Sequence, residues 1–264
     1  SPSGTPLTNT WDGSSFGVNQ SGVTQSQRWR IMEGASSPTR DEKIVIGVES
    51  GGEISGELWN GSTWDKTDMT SLAYVDQTYW WVMDVAYESQ SGDAMIVWSG
   101  GNTYSNQLRY QIWDGSSWSA PASIPVYIGD EPMQMQLKAN PTSDEMILIV
   151  NDENEEDYAM VWNGSSWGNN LWLDNETGQD RTDISVAYEA QSGEALIIYE
   201  GATATPNVYY RTWNGSTWGS QTILNSPSGL FGYSRWTLMA SDANSDRIVL
   251  GAQTSQPDGW VCVW

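Results

Sequence analysis

Trp113-Asp114-Gly115-Ser116-Ser117-Trp118 decides the reading of the chain. An Asp-Gly pair between apolar segments is a strong short-range signal for a β-hairpin turn, because both turn positions tolerate a positive φ. The segment before it, Leu108-Arg109-Tyr110-Gln111-Ile112-Trp113, alternates as a half-covered strand does. The pattern recurs as Trp11-Asp12-Gly13-Ser14-Ser15-Phe16, Trp59-Asn60-Gly61-Ser62-Thr63-Trp64, Trp162-Asn163-Gly164-Ser165-Ser166-Trp167 and Trp213-Asn214-Gly215-Ser216-Thr217-Trp218. Successive first tryptophans lie 48, 54, 49 and 51 residues apart, and Trp264 follows after another 51. Such a period marks an array of like units.

A second landmark keeps the same beat. An acidic residue precedes an aliphatic run at Glu42, Asp93, Asp144, Glu194 and Asp246. Val85-Ala86-Tyr87-Glu88-Ser89-Gln90-Ser91-Gly92-Asp93 is matched by Val186-Ala187-Tyr188-Glu189-Ala190-Gln191-Ser192-Gly193-Glu194. Each period therefore reads as four short strands, the first two nearly continuous in apolar residues and so covered on both faces. No segment sustains a helical period.

Four antiparallel strands repeated five times predict an all-β, five-bladed β-propeller, with a solenoid as the alternative. The predicted divisions are an N-terminal arm over 1–13 and a propeller over 14–264. Its blades span about 27–67, 79–124, 133–173, 182–224 and 234–264. Trp264 ends the third strand of the fifth blade, and the N-terminal strand 14–18 is expected to pair beside 261–264 and close the ring.

Acidic residues outnumber basic ones 33 to 11, for a net charge of −22. That field repels phosphate backbones and anionic lipid, so nucleic-acid partners and direct membrane insertion are not expected. Histidine is absent, which removes a His-based triad, a His-ligated zinc and an imidazole base. Cys262 is the single cysteine, so an intrachain disulfide is excluded. Abundant Trp and Tyr, scarce Lys and many small polar residues suit an extracellular or cell-surface protein. No apolar run reaches membrane-spanning length, and no signal peptide is present, so an exported protein would have lost its leader.

The Gly-x-x-Trp half of the hairpin, as in Gly115-Ser116-Ser117-Trp118, resembles the Asp-box of sialidase-like propellers, although the acid stands one residue closer to the glycine. The repeats are also similar to those of bacterial extracellular propellers and propeller lectins that carry Trp-Asn-Gly-Ser-x-Trp hairpins. This resemblance covers residues 11–264 and implies a propeller in an extracellular setting. The sialidase Phe/Tyr-Arg-Ile-Pro motif is missing, and the eight arginines form no recognisable cluster, so sialidase activity is not expected.

Several side chains are candidates for chemistry. Tryptophan faces stack on sugar C–H surfaces, which directs attention to Arg28-Trp29, Trp80-Trp81 and Arg235-Trp236, the first and last expected at equivalent positions of blades one and five. Two acidic loops offer oxygen ligands for calcium, the one candidate cofactor: Asp152, Glu153, Glu155 and Asp157 in one, Asp174 and Glu176 in the other. Asn19 and Asn175 satisfy the glycosylation pattern without serving as turn residues. Glu33, Asp84 and Asp183 lie on first strands, where a glycosidase would need facing carboxylates. The reading placed first is a non-enzymatic structural or adhesive surface module, its arm docking on copies of itself or on other surface proteins as a filament would require. A carbohydrate-binding lectin comes second, with glycans as partners, and a glycosidase third.

Overall fold

The computed structural model describes residues 4–25, 27–66, 81–100, 106–174, 184–200, 207–230, 232–256 and 258–264, which form strands and turns with no helix among them. Each repeated motif becomes a hairpin organised by its Asx side chain. Asp114 Oδ1 accepts the backbone N–H groups of Ser116 and Ser117, both at 2.8 Å. Asn163 Oδ1 does the same for Ser165 and Ser166, at 3.0 and 2.9 Å. Asp and Asn interchange because the turn uses only the acceptor oxygen they share.

The five motif glycines have φ between 83° and 99°, the region that favours glycine. Nothing lies within 4 Å of a Cβ built on Gly215, so Gly215→Ala meets backbone strain alone. It is expected to cost about 1–2 kcal/mol in urea unfolding, against a few tenths for the exposed Thr217→Ala. Equal costs would show that the turn does not depend on its glycine.

An N-terminal pair, β1 (Leu7–Thr8) and β2 (Gln20–Ser21), forms the first of six sheets. Sheet 1 contains β3 (Trp29–Ser36), β4 (Lys43–Glu49), β5 (Ile54–Trp59) and β6 (Trp64–Lys66). Sheet 2 contains β7 (Met83–Tyr87), β8 (Ala94–Ser99), β9 (Leu108–Trp113) and β10 (Ala122–Ser123). Sheet 3 contains β11 (Pro132–Ala139), β12 (Glu145–Asp152), β13 (Asp157–Asn163) and β14 (Trp167–Asp174). Sheet 4 contains β15 (Ser185–Tyr188), β16 (Ala195–Glu200), β17 (Val208–Trp213) and β18 (Thr222–Leu224). Sheet 5 has three strands, β19 (Ser234–Ser241), β20 (Ile248–Thr254) and β21 (Gly259–Val263).

Within sheets 1–5 each strand pairs antiparallel with the next. Consecutive sheets pack face to face over apolar clusters. Ile44, Ile46 and Leu58 of sheet 1 meet Val85, Ile96 and Trp98 of sheet 2, and Ile147, Ala159 and Val161 of sheet 3 meet Val186, Ile197 and Trp213 of sheet 4. The first strands pack in order, β3 on β7, β7 on β11, β11 on β15 and β15 on β19. This is propeller architecture.

The expected five-blade closure does not hold. There are six sheets, and none is closed among the described residues. Residues 14–18 do not reach β21; they fold back on residues 10–12, with Gly17 N–H donating to Thr10 O at 2.9 Å and Asp12 N–H to Ser15 O at 3.1 Å. The first motif copy contains its own partner strand, and closing that short loop costs less entropy than a pairing across the whole chain. The boundary drawn at residue 13 therefore cuts through a hairpin. Val261 and Val263 of β21 remain 67% and 65% exposed.

Candidate functional site

One register position recurs on the first strand of each of sheets 1–5. Pairing places Glu33 opposite Ile46, Asp84 opposite Val97, Gln136 opposite Ile149, Ser185 opposite Ile198 and Leu238 opposite Gly251. Three of these side chains pin their sheet to the next. Asp84 Oδ2 accepts the Leu137 N–H at 2.7 Å, Gln136 Oε1 the Val186 N–H at 2.6 Å, and Ser185 Oγ the Met239 N–H at 3.1 Å. By this pattern Glu33 would hold the Val85 N–H, but Asp84 Oδ1 takes it.

Burial pushes Asp84 above the ordinary carboxylate range, opposed by the nearby Lys138 charge and two backbone donors. Burial, and secondly the Asp84 charge, push Glu33 up to about 7. Glu33 and Asp84 thus align as the sequence suggests, and Asp183 lies outside the described residues. Both Asp84 oxygens are committed to backbone, so the pair works here as an inter-sheet pin.

The aromatic candidates divide into two places. Trp81 and Trp236 meet edge to face, ring centroids 6.0 Å apart and planes at 85°, while remaining 37% and 44% exposed. The Trp81 carbonyl also accepts the Met135 N–H at 2.7 Å. Arg235 is exposed beside Trp236, and Trp80 lies outside the described residues.

Arg28 and Trp29 are elsewhere, and the expected equivalence with Arg235-Trp236 fails. Trp29 stands opposite Glu49 and Ile31 opposite Val48, whereas Ser234 stands opposite Thr254 and Trp236 opposite Gln253. Ile31 is thus the counterpart of Trp236, and Ser234 that of Trp29. Both strands carry the same bulge at this point, and the two Arg-Trp pairs stand two residues apart in register.

Trp29 is held from two directions. Its ring lies against Gly47, where a side chain would collide with it. Its Nε1–H donates to Ser55 Oγ at 2.7 Å, and that hydroxyl donates to Glu49 Oε1 at 2.7 Å. In front of it is a cleft of about 220 Å³, bounded by Gly4, Thr5 and Pro6 on one side and Gln25, Gln27, Arg28, Trp29 and Met32 on the other. Gln25 is buried, and its Nε2 donates to the Val23 carbonyl and to Glu57 Oε1. Its Oε1 has no hydrogen-bond partner among the described residues. The cleft therefore combines a fixed aromatic ring and a guanidinium, with the Gln25 acceptor buried in the wall behind them. Nothing in the sequence singles out Thr5, Gln25 or Gln27, because the fold-back of the N-terminal hairpin creates the cleft.

The first acidic loop turns its carboxylates to structural use. Asp152 Oδ1 accepts N–H groups from Asn154 and Glu156 at 2.9 and 3.0 Å, and Oδ2 accepts that of Asp130 at 2.9 Å. Asp157 Oδ1 accepts from Asn151 Nδ2 at 2.8 Å. Glu153 lies in the turn, and Glu155 closes it with φ 61°. The structure gathers no group of three or more such ligands among the described residues. Asp174 ends β14 opposite Asp157, while its side chain, Glu176 and Asn175 lie outside those residues. Asn19 sits in the N-terminal hairpin and accepts from Asn9 Nδ2 at 2.9 Å.

A scan against protein-family models finds no match, and a search of curated proteins finds none. Solved structures do match. The chain is similar to the six-bladed fucose-recognising lectin of Aleuria aurantia, with a TM-score of 0.54 and 14% identity over 88% of this chain and 74% of that one. It is similar to the AofleA protein of Arthrobotrys oligospora, at 0.59 and 11% over 97% and 74%. A lectin of Burkholderia pseudomallei matches at 0.60 and 10%, over 88% and 66%. At these identities the likeness shows the fold, which is the β-propeller of these lectins. It gives no support to the sialidase side of the sequence resemblance.

Proposed function

We propose that the protein is a non-enzymatic, carbohydrate-binding propeller of lectin type, acting outside the cell or at its surface. The cleft between the N-terminal hairpin and Arg28-Trp29 carries this reading, because it sets the fixed Trp29 ring beside the exposed Arg28 guanidinium. Trp29 offers a ring face for sugar C–H groups, and the Arg28 guanidinium can fork across two sugar oxygens. The Aleuria lectin recognises fucose, so fucosides are the first ligands to try. The Trp81–Trp236 pair is a second aromatic surface of the same chemical kind. The self-assembling module favoured by the sequence is displaced as the leading reading, since the arm lies along its own chain: Gln25 N–H donates to Gly4 O at 2.8 Å, and Asn9, Thr10 and Trp11 face Asp41, Trp59 and Trp64 of sheet 1.

A glycan array followed by calorimetric titration tests the proposal. The wild-type chain should bind at least one monosaccharide, and Arg28→Ala should weaken it roughly 10- to 100-fold, as expected for a charged hydrogen bond. Arg28 is exposed, so Tm should not move. No glycan bound at millimolar concentration, or undiminished binding by Arg28→Ala, would overturn the assignment.

A further inference from the structure

Sheets 1, 3 and 5 are of one kind and sheets 2 and 4 of another, and the difference lies in how they meet. The turn after the first strand of sheet 2 plugs into sheet 3: the Gln90 and Ser91 N–H groups donate to Asp144 Oδ1 at 2.7 and 3.0 Å, and Trp162 Nε1–H returns a bond to Glu88 Oε1 at 2.6 Å. Sheet 4 plugs into sheet 5 identically. Gln191 and Ser192 donate to Asp246 Oδ1 at 2.7 and 2.9 Å, and Trp264 Nε1–H donates to Glu189 Oε1 at 3.0 Å.

Sheet 1 has the same receptor, and among the described residues no such plug reaches it. Asp41 and Trp59 are the counterparts of Asp144 and Trp162, since Lys43 pairs with Trp59 as Met146 pairs with Trp162. Asp41 is largely exposed and bonded to Lys43. On the first strand of the same side, Met32 is exposed, whereas its counterpart Met135 is buried.

Sheet 5 has the complementary opening. Its outward face carries Leu238, Val249, Val261 and Val263, all exposed. Pairing equates Val249, Val261 and Val263 with Ile147, Ala159 and Val161, which sheet 4 buries completely.

The N-terminal hairpin identifies what belongs between them. In sheets 2 and 4 the motif's two aromatics form an isolated bridge, Trp113 with Trp118 and Trp213 with Trp218, and the next residue's N–H bonds back, Ser119 to Ile112 O and Gly219 to Thr212 O. The N-terminal copy repeats both features, Trp11 with Phe16 and Gly17 to Thr10 O. In sheets 1 and 3 the corresponding aromatics lie within continuous strands. The hairpin is thus the outer half of a sheet of the even kind, and it already lies against Asp41, Lys43, Trp59 and Trp64.

We infer that the space between sheets 5 and 1 is the seat of a sixth sheet of the even kind. The N-terminal hairpin is its outer half, and a strand pair with a Tyr-Glu-x-Gln-Ser-Gly turn, from polypeptide outside these 264 residues, is its inner half. The interface is continuous with the one the hairpin already makes. The incoming turn fills Asp41 and Trp59, and the strand pair covers Val249, Val261 and Val263.

The test is a graft in register. Residues 163–200, which follow Trp162 and end the second strand of sheet 4, are fused after Trp264; a control carries residues 214–254, which follow Trp213 and have the odd kind of turn. The even graft should raise Tm by about 5–10 °C, lower the binding of a hydrophobic dye and slow hydrogen exchange over 261–263. Asp41→Ala should remove part of that gain while leaving the ungrafted chain unchanged. An even graft that changes none of these readouts, or an odd graft that works equally well, overturns the inference. If the ungrafted chain dimerises at micromolar concentration with loss of dye binding, a second copy covers the face and the inference also falls.

Discussion

Trp162→Ala should lower stability by about 3–5 kcal/mol, among the largest effects of any single substitution. The ring is buried between Tyr110 and Trp167, with centroids 5.7 Å from each. Truncation opens a cavity between sheets 2 and 3 and also strands Glu88, whose Oε1 accepts the indole N–H at 2.6 Å. Burial already raises the Glu88 pKa, with the Ser91 and Trp162 hydrogen bonds opposing that rise. Trp162→Phe separates the two contributions: it keeps most of the apolar contact and loses only the donor, for a cost of about 1–3 kcal/mol. Urea titrations of both variants provide the measurement. A cost below about 1 kcal/mol for the alanine variant would mean that the motif tryptophan does not hold the sheets together.

Stability should fall as pH rises from 5 to 8. Glu33 has an ordinary value of 4.5 and sits near 7 in the fold, so the folded state holds a proton that the unfolded chain has released. Its contribution is complete below about 4.5 and is lost as pH passes through 7. The difference sets a ceiling of about 3 kcal/mol, trimmed by the solvent that a half-buried group retains. Glu57, Glu88 and Asp84 shift in the same direction through burial. The turn carboxylates shift down to about 2 through the hydrogen bonds they accept, Asp12 from Ser15 and Ser14 and Asp114 from Ser116 and Ser117. Their stabilisation is lost only as pH falls below 3.8 toward 2, outside this window. Thermal melts of wild type and Glu33→Gln at pH 5, 6, 7 and 8 give the comparison, and the variant should show a flatter profile. A wild-type Tm that rises over this range would contradict the burial of Glu33.

What could be read in the residues was local. Asp114-Gly115 between apolar runs specifies a hairpin whatever surrounds it, and the structure places a turn at every copy. The strand composition of Met146-Ile147-Leu148-Ile149-Val150 likewise announced a strand covered on both faces. Partner choice was not legible, because residues 14–18 carry a strand pattern that fits either a near or a distant neighbour, and loop entropy decided. The Trp29 and Trp236 equivalence failed because the same Arg-Trp dipeptide occurs two residues apart in register on the two strands, and a dipeptide does not reveal its register. Asp152 has the makeup of a cation ligand, and only the geometry of its turn shows its oxygens spent on backbone N–H groups. The cleft at Gln25 depends on two segments meeting through the fold-back of the hairpin, which no single stretch encodes.

The alternation of Asp144-type receptors with Glu88-type plugs also constrains how such a chain can change length. Asp41, Asp144 and Asp246 are 103 and 102 residues apart, twice the visible repeat. Copying one unit of about 50 residues in the gene would set two receptors, or two plugs, against each other and lose the hydrogen bonds of that junction. Copying a pair preserves every junction. The heritable module of this protein is therefore the doublet, and size variants descended from it should differ by even numbers of repeats.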